Sequence, residues 1–244
     1  YIDSAASIGI FQNLDHLRLR AFSRLPKVRS DVREYLKEKY ALKHLTYSYM
    51  FDPIYSDKYL LFGGLRMGLF EEMYGGFGGE FLVRDIRKPW YLTANYYWVK
   101  QREFNQRFSF RNYETFTGHL NFIWETPLEG VKMILSGGRY LAKDSGVTFE
   151  AARYFRNGLE IGAFASQTDI SKEEFGEGSF DKGFYFNVPI EIFLNIPAKH
   201  KTYFGLRPLT RDGAAKLIVG SNLWDLTTSH NYLNFMDKND QFFR

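Results

Sequence analysis

From Lys182 to Leu194 every even position after the lysine itself is apolar (Phe184, Phe186, Val188, Ile190, Ile192 and Leu194), while the odd positions include Gly183, Tyr185, Asn187 and Glu191. A strand sends successive side chains to opposite faces, so a period of two held this long demands a strand with one apolar and one polar face. Strands of ordinary globular domains run about 5 to 6 residues, whereas a tilted membrane-spanning strand needs about 9 to 11. The chain is therefore constrained to a β architecture with long strands.

The pattern recurs along the chain. Leu45, Tyr47, Tyr49 and Phe51 oppose His44, Thr46 and Ser48; Tyr59, Leu61, Leu65, Met67 and Leu69 oppose Arg66; Phe77, Phe81 and Val83 oppose Glu80 and Arg84. Leu92, Ala94, Tyr96 and Trp98 oppose Thr93, Asn95 and Gln101, and Phe116, Leu120, Phe122 and Trp124 oppose Thr117, His119 and Asn121. Val131, Met133 and Leu135 oppose Lys132 and Ser136; Val147, Phe149 and Ala151 oppose Thr148 and Glu150; Leu159, Ile161, Ala163 and Ala165 oppose Glu160 and Ser166. Further strands are expected at 4–11, 14–22, 202–208 and 214–220, which makes about twelve. The period changes over 28–42, where Val28, Val32, Leu36 and Tyr40 recur every four residues behind the helix-starting Ser30 and Asp31. That spacing predicts a short amphipathic helix, either a connector lying on the fold or a plug at its mouth.

Connectors sort into two classes. One is mostly short (52–57, 85–90, 125–130, Asn157-Gly158, 195–201); the other (71–75, 103–114, 142–145, 168–181, 209–213) holds the two longest loops. Short turns at one end and longer loops at the other is the layout of a bacterial outer-membrane barrel, and an even strand count puts both termini on the short-turn side. A water-surrounded barrel alternates in the same way with its faces reversed. Two features favour the membrane. A barrel of about twelve strands is too wide to pack solid, and the polar face mixes Gly, Ser, Thr, Asn and Tyr with isolated charges, while aromatic residues gather near strand ends. A mean hydropathy of −0.35 is no objection, because alternation conceals the apolar face. The expected fold is an all-β, antiparallel transmembrane β-barrel in the bacterial outer membrane. It comprises residues 1–244 as one domain, with the helical insert at 28–42 and a periplasmic tail over 222–244.

With no cysteine there is neither a disulfide framework nor a thiolate metal site, and no His or carboxylate group has metal-ligand spacing, so no metal or cofactor is expected. A net charge of +4 from 32 basic and 28 acidic residues, without a basic tract, argues against nucleic acid as a partner. A start at Tyr1 suggests a processed or excised chain. The polar face collects Arg18, Arg20, Arg66, Glu80, Arg84, Lys132, Glu150, Glu160, Glu191 and Arg207 with Tyr97, Tyr140 and Tyr185. Mixed charge and tyrosine suit a hydrated, often anionic glycan; alternatively, opposite charges pair across neighbouring strands and rigidify a closed pore. His119 joins this lumen set. With Asn121 and Ser166 or Ser136 it could instead form a hydrolase of outer-membrane lipase type, but the expectation is no enzymatic activity. Glu71 and Glu72 hold a cation, form a carboxylate pair, or sit in a solvated turn. The loop Phe175–Gly183, with Glu177, Asp181 and Lys182, either binds ligand or stabilises the barrel mouth.

Several motifs resemble the YjbH/GfcD-like family of outer-membrane proteins encoded with exopolysaccharide and capsule export genes. They are Asp31-Val-Arg-Glu-Tyr-Leu36, Met67-Gly-Leu-Phe-Glu-Glu-Met-Tyr-Gly-Gly-Phe-Gly-Gly-Glu80, Val99-Lys-Gln-Arg-Glu-Phe104, Gly138-Arg-Tyr-Leu-Ala142, Phe175-Gly-Glu-Gly-Ser-Phe-Asp-Lys-Gly183 and Leu206-Arg-Pro-Leu-Thr-Arg-Asp-Gly213. The last two are the most specific. Family members are considerably longer, so the likeness is to their C-terminal part. The resemblance implies a role in polysaccharide secretion, with outer-membrane lipid, polysaccharide and other export proteins of the envelope as partners, or a structural docking module. It supplies no catalytic residues.

Overall fold

The computed structural model describes residues 1–10, 24–56, 58–85, 87–155, 157–171, 180–189, 201–206, 212–220 and 223. Twelve strands form one antiparallel sheet. They are β1 (Ile2–Ile8), β2 (Tyr40–Met50), β3 (Ile54–Tyr55), β4 (Leu60–Leu69), β5 (Tyr74–Arg84), β6 (Trp90–Arg102), β7 (Phe110–Glu125), β8 (Val131–Arg139), β9 (Ser145–Tyr154), β10 (Glu160–Thr168), β11 (Asp181–Pro189) and β12 (Lys201–Leu206). The two-residue β3 pairs with β4 off the main path, and the other eleven follow one another in sequence order. Among the described residues no ladder joins β1 to β12, so the sheet has two edges. None of the described helices is long and apolar enough to cross a membrane.

Each strand expected between 44 and 166 is present, and β7 reaches 16 residues. Hairpins hold their register through their turns. At Asn157-Gly158 the glycine takes φ +82°, and the Asn157 side-chain oxygen accepts the Leu159 N–H at 3.2 Å. The run from Lys182 to Leu194 is a strand as far as Pro189; its remainder, and the strand expected at 14–22, lie outside the described residues.

Two expectations fail. The helix predicted over 28–42 is a single short α1 (Val32–Leu36), and from Tyr40 the chain is already β2. The four-residue spacing marks no common face, since Val28 is buried while Leu36 and Tyr40 are exposed, and pairing with β1 claims the backbone from Tyr40 onward. Residues 214–220 form no strand; the segment 212–220 runs without a ladder across one face of the sheet. The described strands in line number eleven, so β12 ends at the long-loop side; the C-terminus, on which the expectation for both termini depends, lies outside the described residues.

The two faces are inverted relative to an ordinary water-soluble sheet. Leu65, Met67, Phe77, Phe81, Tyr96, Leu120, Leu135 and Phe149 stand exposed on the outer face, whereas Thr46, Ser48, Arg66, Glu80, Thr93, Thr117, Ser136 and Thr148 are buried on the inner one. The inner face is covered by residues 24–36, 212–220 and 223. Val28, Tyr35 and Ala215 pack with Phe70, Tyr74, Tyr97, Val99 and Leu141, and Leu223 reaches a second cluster with Leu82, Tyr91 and Ile123.

Candidate functional site

Where the two covering segments meet the long-loop end, their main chains are held by charged side chains. Asp212, 1% exposed, accepts the backbone N–H groups of Val28, Arg29 and Ser30 at 2.9, 2.8 and 3.0 Å on one carboxylate oxygen and the Ser30 hydroxyl at 2.8 Å on the other. A carboxylate accepting several amide hydrogens satisfies donors that a buried turn would otherwise orphan. One residue past Gly213, Ala214 adopts φ +58°, and its N–H is taken by Asp144 at 2.7 Å. Arg29 grips Glu71 through both guanidinium nitrogens at 2.7 and 2.8 Å and donates to the Lys216 carbonyl at 2.8 Å. Burial pushes the Glu71 carboxyl above the usual range against the pull of Arg29. Burial also works against the charge of Arg29, yet the Glu71 carboxylate holds its pKa above the ordinary value. The two-pronged geometry is that of an ion pair. Burial likewise raises the Asp31 and Asp144 carboxyls.

Beside this junction Arg102 has no solvent exposure and donates to five carbonyls, those of Leu42, Lys43, Glu71, Gln106 and Arg107, at 2.7–3.3 Å. Tyr35 of α1 donates its hydroxyl to the Arg102 carbonyl at 2.6 Å, and Gln106 returns a side-chain amide to the Tyr35 carbonyl at 2.5 Å. One guanidinium thus ties the start of β2, the β4–β5 turn and the β6–β7 loop to each other, with α1 held through its tyrosine.

Deeper along the inner face, Arg66 lies 3.6 Å from Glu80 and donates to the Val219 carbonyl at 2.7 Å, while Glu80 accepts the Leu223 N–H at 3.1 Å. A second cluster spans β8 to β11. Lys132 sits 3.1 Å from Glu160 and 2.7 Å from the Tyr154 hydroxyl, Asn187 donates to Glu160 at 2.7 Å, and Tyr185 donates to Glu150 at 2.5 Å. The Tyr185 ring needs Gly162 opposite it, where a Cβ would fall 2.3 Å from the ring. Opposite charges therefore pair across strands, as one of the two sequence readings held.

The model of the family described as "Exopolysaccharide biosynthesis protein YbjH" matches residues 1–229. This chain belongs to the YjbH family. It is 39% identical over 220 residues to the Escherichia coli K12 protein named "Uncharacterized lipoprotein YjbH", an alignment that covers 87% of this chain and 30% of that protein. The chain thus spans less than a third of the length of the curated relative it matches. No solved structure matches it.

In this YjbH-family chain Arg66, Glu80, Arg84, His119 and Glu160 lie on the inner face, as do Lys132, Glu150, Tyr97, Tyr140 and Tyr185. Arg84 stacks over the Tyr91 ring at 5.7 Å. Arg18, Arg20, Glu177, Glu191 and Arg207 lie outside the described residues. Asp181 and Lys182 are not loop contacts: both belong to β11, with Asp181 buried inward and Lys182 outward over the Phe180 ring at 4.9 Å. Nor do Glu71 and Glu72 form a solvated turn or a carboxylate pair, because Glu71 is taken by Arg29 and Glu72 by Lys43 at 2.8 Å. The His119 ring meets Tyr140 edge-on at 4.7 Å, and Ser166 shares its hydroxyl with Thr148 at 2.8 Å. His119 also lines a cavity of about 70 Å³ with Asn95, Tyr97, Thr117, Asn121 and Lys216. The residues missed from sequence are Arg29, Arg102, Asp144 and Asp212. Arg102 and Asp212 stand inside quoted family motifs, which was the available signal.

Proposed function

We propose that this chain forms an outer-membrane β-barrel that serves exopolysaccharide secretion and catalyses no reaction itself. One observation carries the reading: on strand after strand the large apolar side chains are exposed and the polar and charged ones are buried. In water such a belt would be an aggregation surface, whereas hydrocarbon requires it. The lengths support this, since β4 to β11 run from 9 to 16 residues, enough for a tilted strand to cross. Aromatic pairs strengthen the outer face, including Tyr96 stacked on Phe116 at 5.6 Å and Trp90 beside Phe122 at 6.2 Å. Family membership supports the exopolysaccharide role, and a relative named as a lipoprotein is in keeping with the cell envelope. Partners in this reading are outer-membrane lipid, the polysaccharide and other envelope proteins of its export. A second reading, a docking module for such proteins, is favoured by the inner face being filled with the chain's own segments.

The test is membrane fractionation of cells expressing the natural protein, with gel migration before and after boiling and secreted polysaccharide measured beside a deletion strain. Outer-membrane recovery, heat-modifiable migration and loss of polysaccharide on deletion are expected. A monodisperse protein in detergent-free buffer would end the membrane reading. His119→Ala is expected to leave folding and secretion intact, and loss of a hydrolytic activity in a folded variant would overturn the non-enzymatic reading. Recovery of export proteins in pull-downs with unchanged polysaccharide output would favour docking.

A further inference from the structure

We propose that residues 212–220, with Leu223, are a displaceable plug, the closed position of a gate inside the barrel; this rests on the outer-membrane reading above. The segment enters at the long-loop end and follows the inner face past Leu141, Arg66 and Glu80. What distinguishes it from a structural strand is how it is held. The anchors named so far are charged side chains of other elements acting on its main chain: Asp144 on the Ala214 N–H, Arg29 on the Lys216 carbonyl, Arg66 on the Val219 carbonyl and Glu80 on the Leu223 N–H. Glu71 adds a backbone hydrogen bond from Ile218. The segment's own Asp212 completes the set by clasping the turn 28–30.

The apolar hold is small by comparison. Ala214, Ala215 and Leu223 are its buried apolar side chains, two of them single methyl groups, Leu217 and Val219 pack partly buried against the core, and Ile218 is 60% exposed. Alanine methyls and half-buried side chains contribute little transfer free energy beside so many hydrogen bonds to charged groups, so most of the grip is polar. A polar inner face already solvates such contacts poorly when closed and well when wet, so water entering the lumen can replace them group for group. The arrangement is therefore closed and reversible. The same anchors would be left as a charged, hydrated wall for a polymer once the segment has gone.

The experiment records ion current through the natural full-length protein in planar bilayers bathed in potassium chloride, after its insertion has been verified by heat-modifiable migration. Asp212→Ala removes the clasp on three backbone N–H groups, and the open fraction is expected to rise about tenfold or more. Residues 1–244 contain no cysteine, so Leu141→Cys with Ala215→Cys places a single pair within them, at a backbone hydrogen bond of 2.9 Å, and each single variant is the control for cysteines elsewhere in the protein. Oxidation is expected to abolish current and reduction to restore it. An inserted, oxidised, cross-linked protein that conducts as the reduced one does would overturn the plug. So would an Asp212→Ala protein that inserts with unchanged current. Failure of the unaltered protein to insert would refute the membrane reading, and the gate with it.

Discussion

Leu120 is 59% exposed on the outer face of β7, midway between Phe116 and Trp124, with Ala94 and Gly137 as its ladder partners. Neither partner offers a polar group or enough bulk to shelter a long side chain. At about 3.3 Å per residue and a tilt near 40°, Leu120 sits about 10 Å along the membrane normal from either aromatic neighbour, close to the middle of the apolar band. Leu120→Arg should then cost about 2–4 kcal/mol of folding free energy in a bilayer, or roughly 30- to 900-fold in the folding equilibrium. At an exposed site in water the same change stays within about 0.5 kcal/mol, so the size of the effect identifies the solvent. The assay is urea titration of folding into phosphatidylcholine vesicles, scored by heat-modifiable migration. Asn187→Arg is the matched control, because the inner-side Asn187 already bonds Glu160 and an arginine there meets a carboxylate. Normal assembly of Leu120→Arg together with failure of Asn187→Arg would show that the faces are assigned the wrong way round.

Two further outcomes follow from ion pairs, one buried and one partly exposed. Lys132→Met leaves Glu160 charged and buried without its cation and should destabilise the fold by about 3–5 kcal/mol, while Lys132→Met with Glu160→Gln should recover much of that loss; denaturant midpoints of both variants check it. At Glu72 burial opposes ionisation, but Lys43 and a backbone hydrogen bond outweigh it and depress the carboxyl pKa. The stability it contributes is present above the ordinary glutamate pKa and lost as pH falls through the depressed value, so Glu72→Gln should flatten acid denaturation in that window, measured by tyrosine fluorescence.

The strands and their facing were legible because the pleat leaves a period of two whatever the surroundings, and Phe116 to Trp124 shows it without interruption. Which side is buried did not follow from the alternation, which a water-surrounded barrel shares, but from the barrel's expected width and the mixed make-up of the polar face; the readings of that face as an open glycan path and as paired charges could not be separated until Lys132 and Glu160 were seen 3.1 Å apart. Asp212, Arg29 and Arg102 were not legible, because each acts on backbone groups far away in sequence, 184 residues in the case of Asp212 and Val28, and backbone groups carry no residue identity. The false helix over 28–42 and the false strand at 214–220 have one cause. Both segments lie against the inner face, where packing against Tyr74, Tyr97 and Leu141, and not local periodicity, decides their shape.

The odd strand count bears on how the sheet is completed. Each antiparallel step reverses the chain, so the first and last of the eleven described strands in line, β1 and β12, run in the same direction. Direct union of these edges would make one parallel pair, slightly less stable per residue than the antiparallel ladders around it. An all-antiparallel barrel instead needs an odd number of further strands between them. Two bare edges cannot persist in hydrocarbon, where each unpaired backbone group costs several kcal/mol. The membrane reading therefore obliges β1 and β12 to find partners, whereas a sheet in water could leave them open. In the proposed membrane setting the backbone arithmetic thus calls for a closed sheet, and closure would enclose the inner face against which residues 212–220 and Leu223 lie.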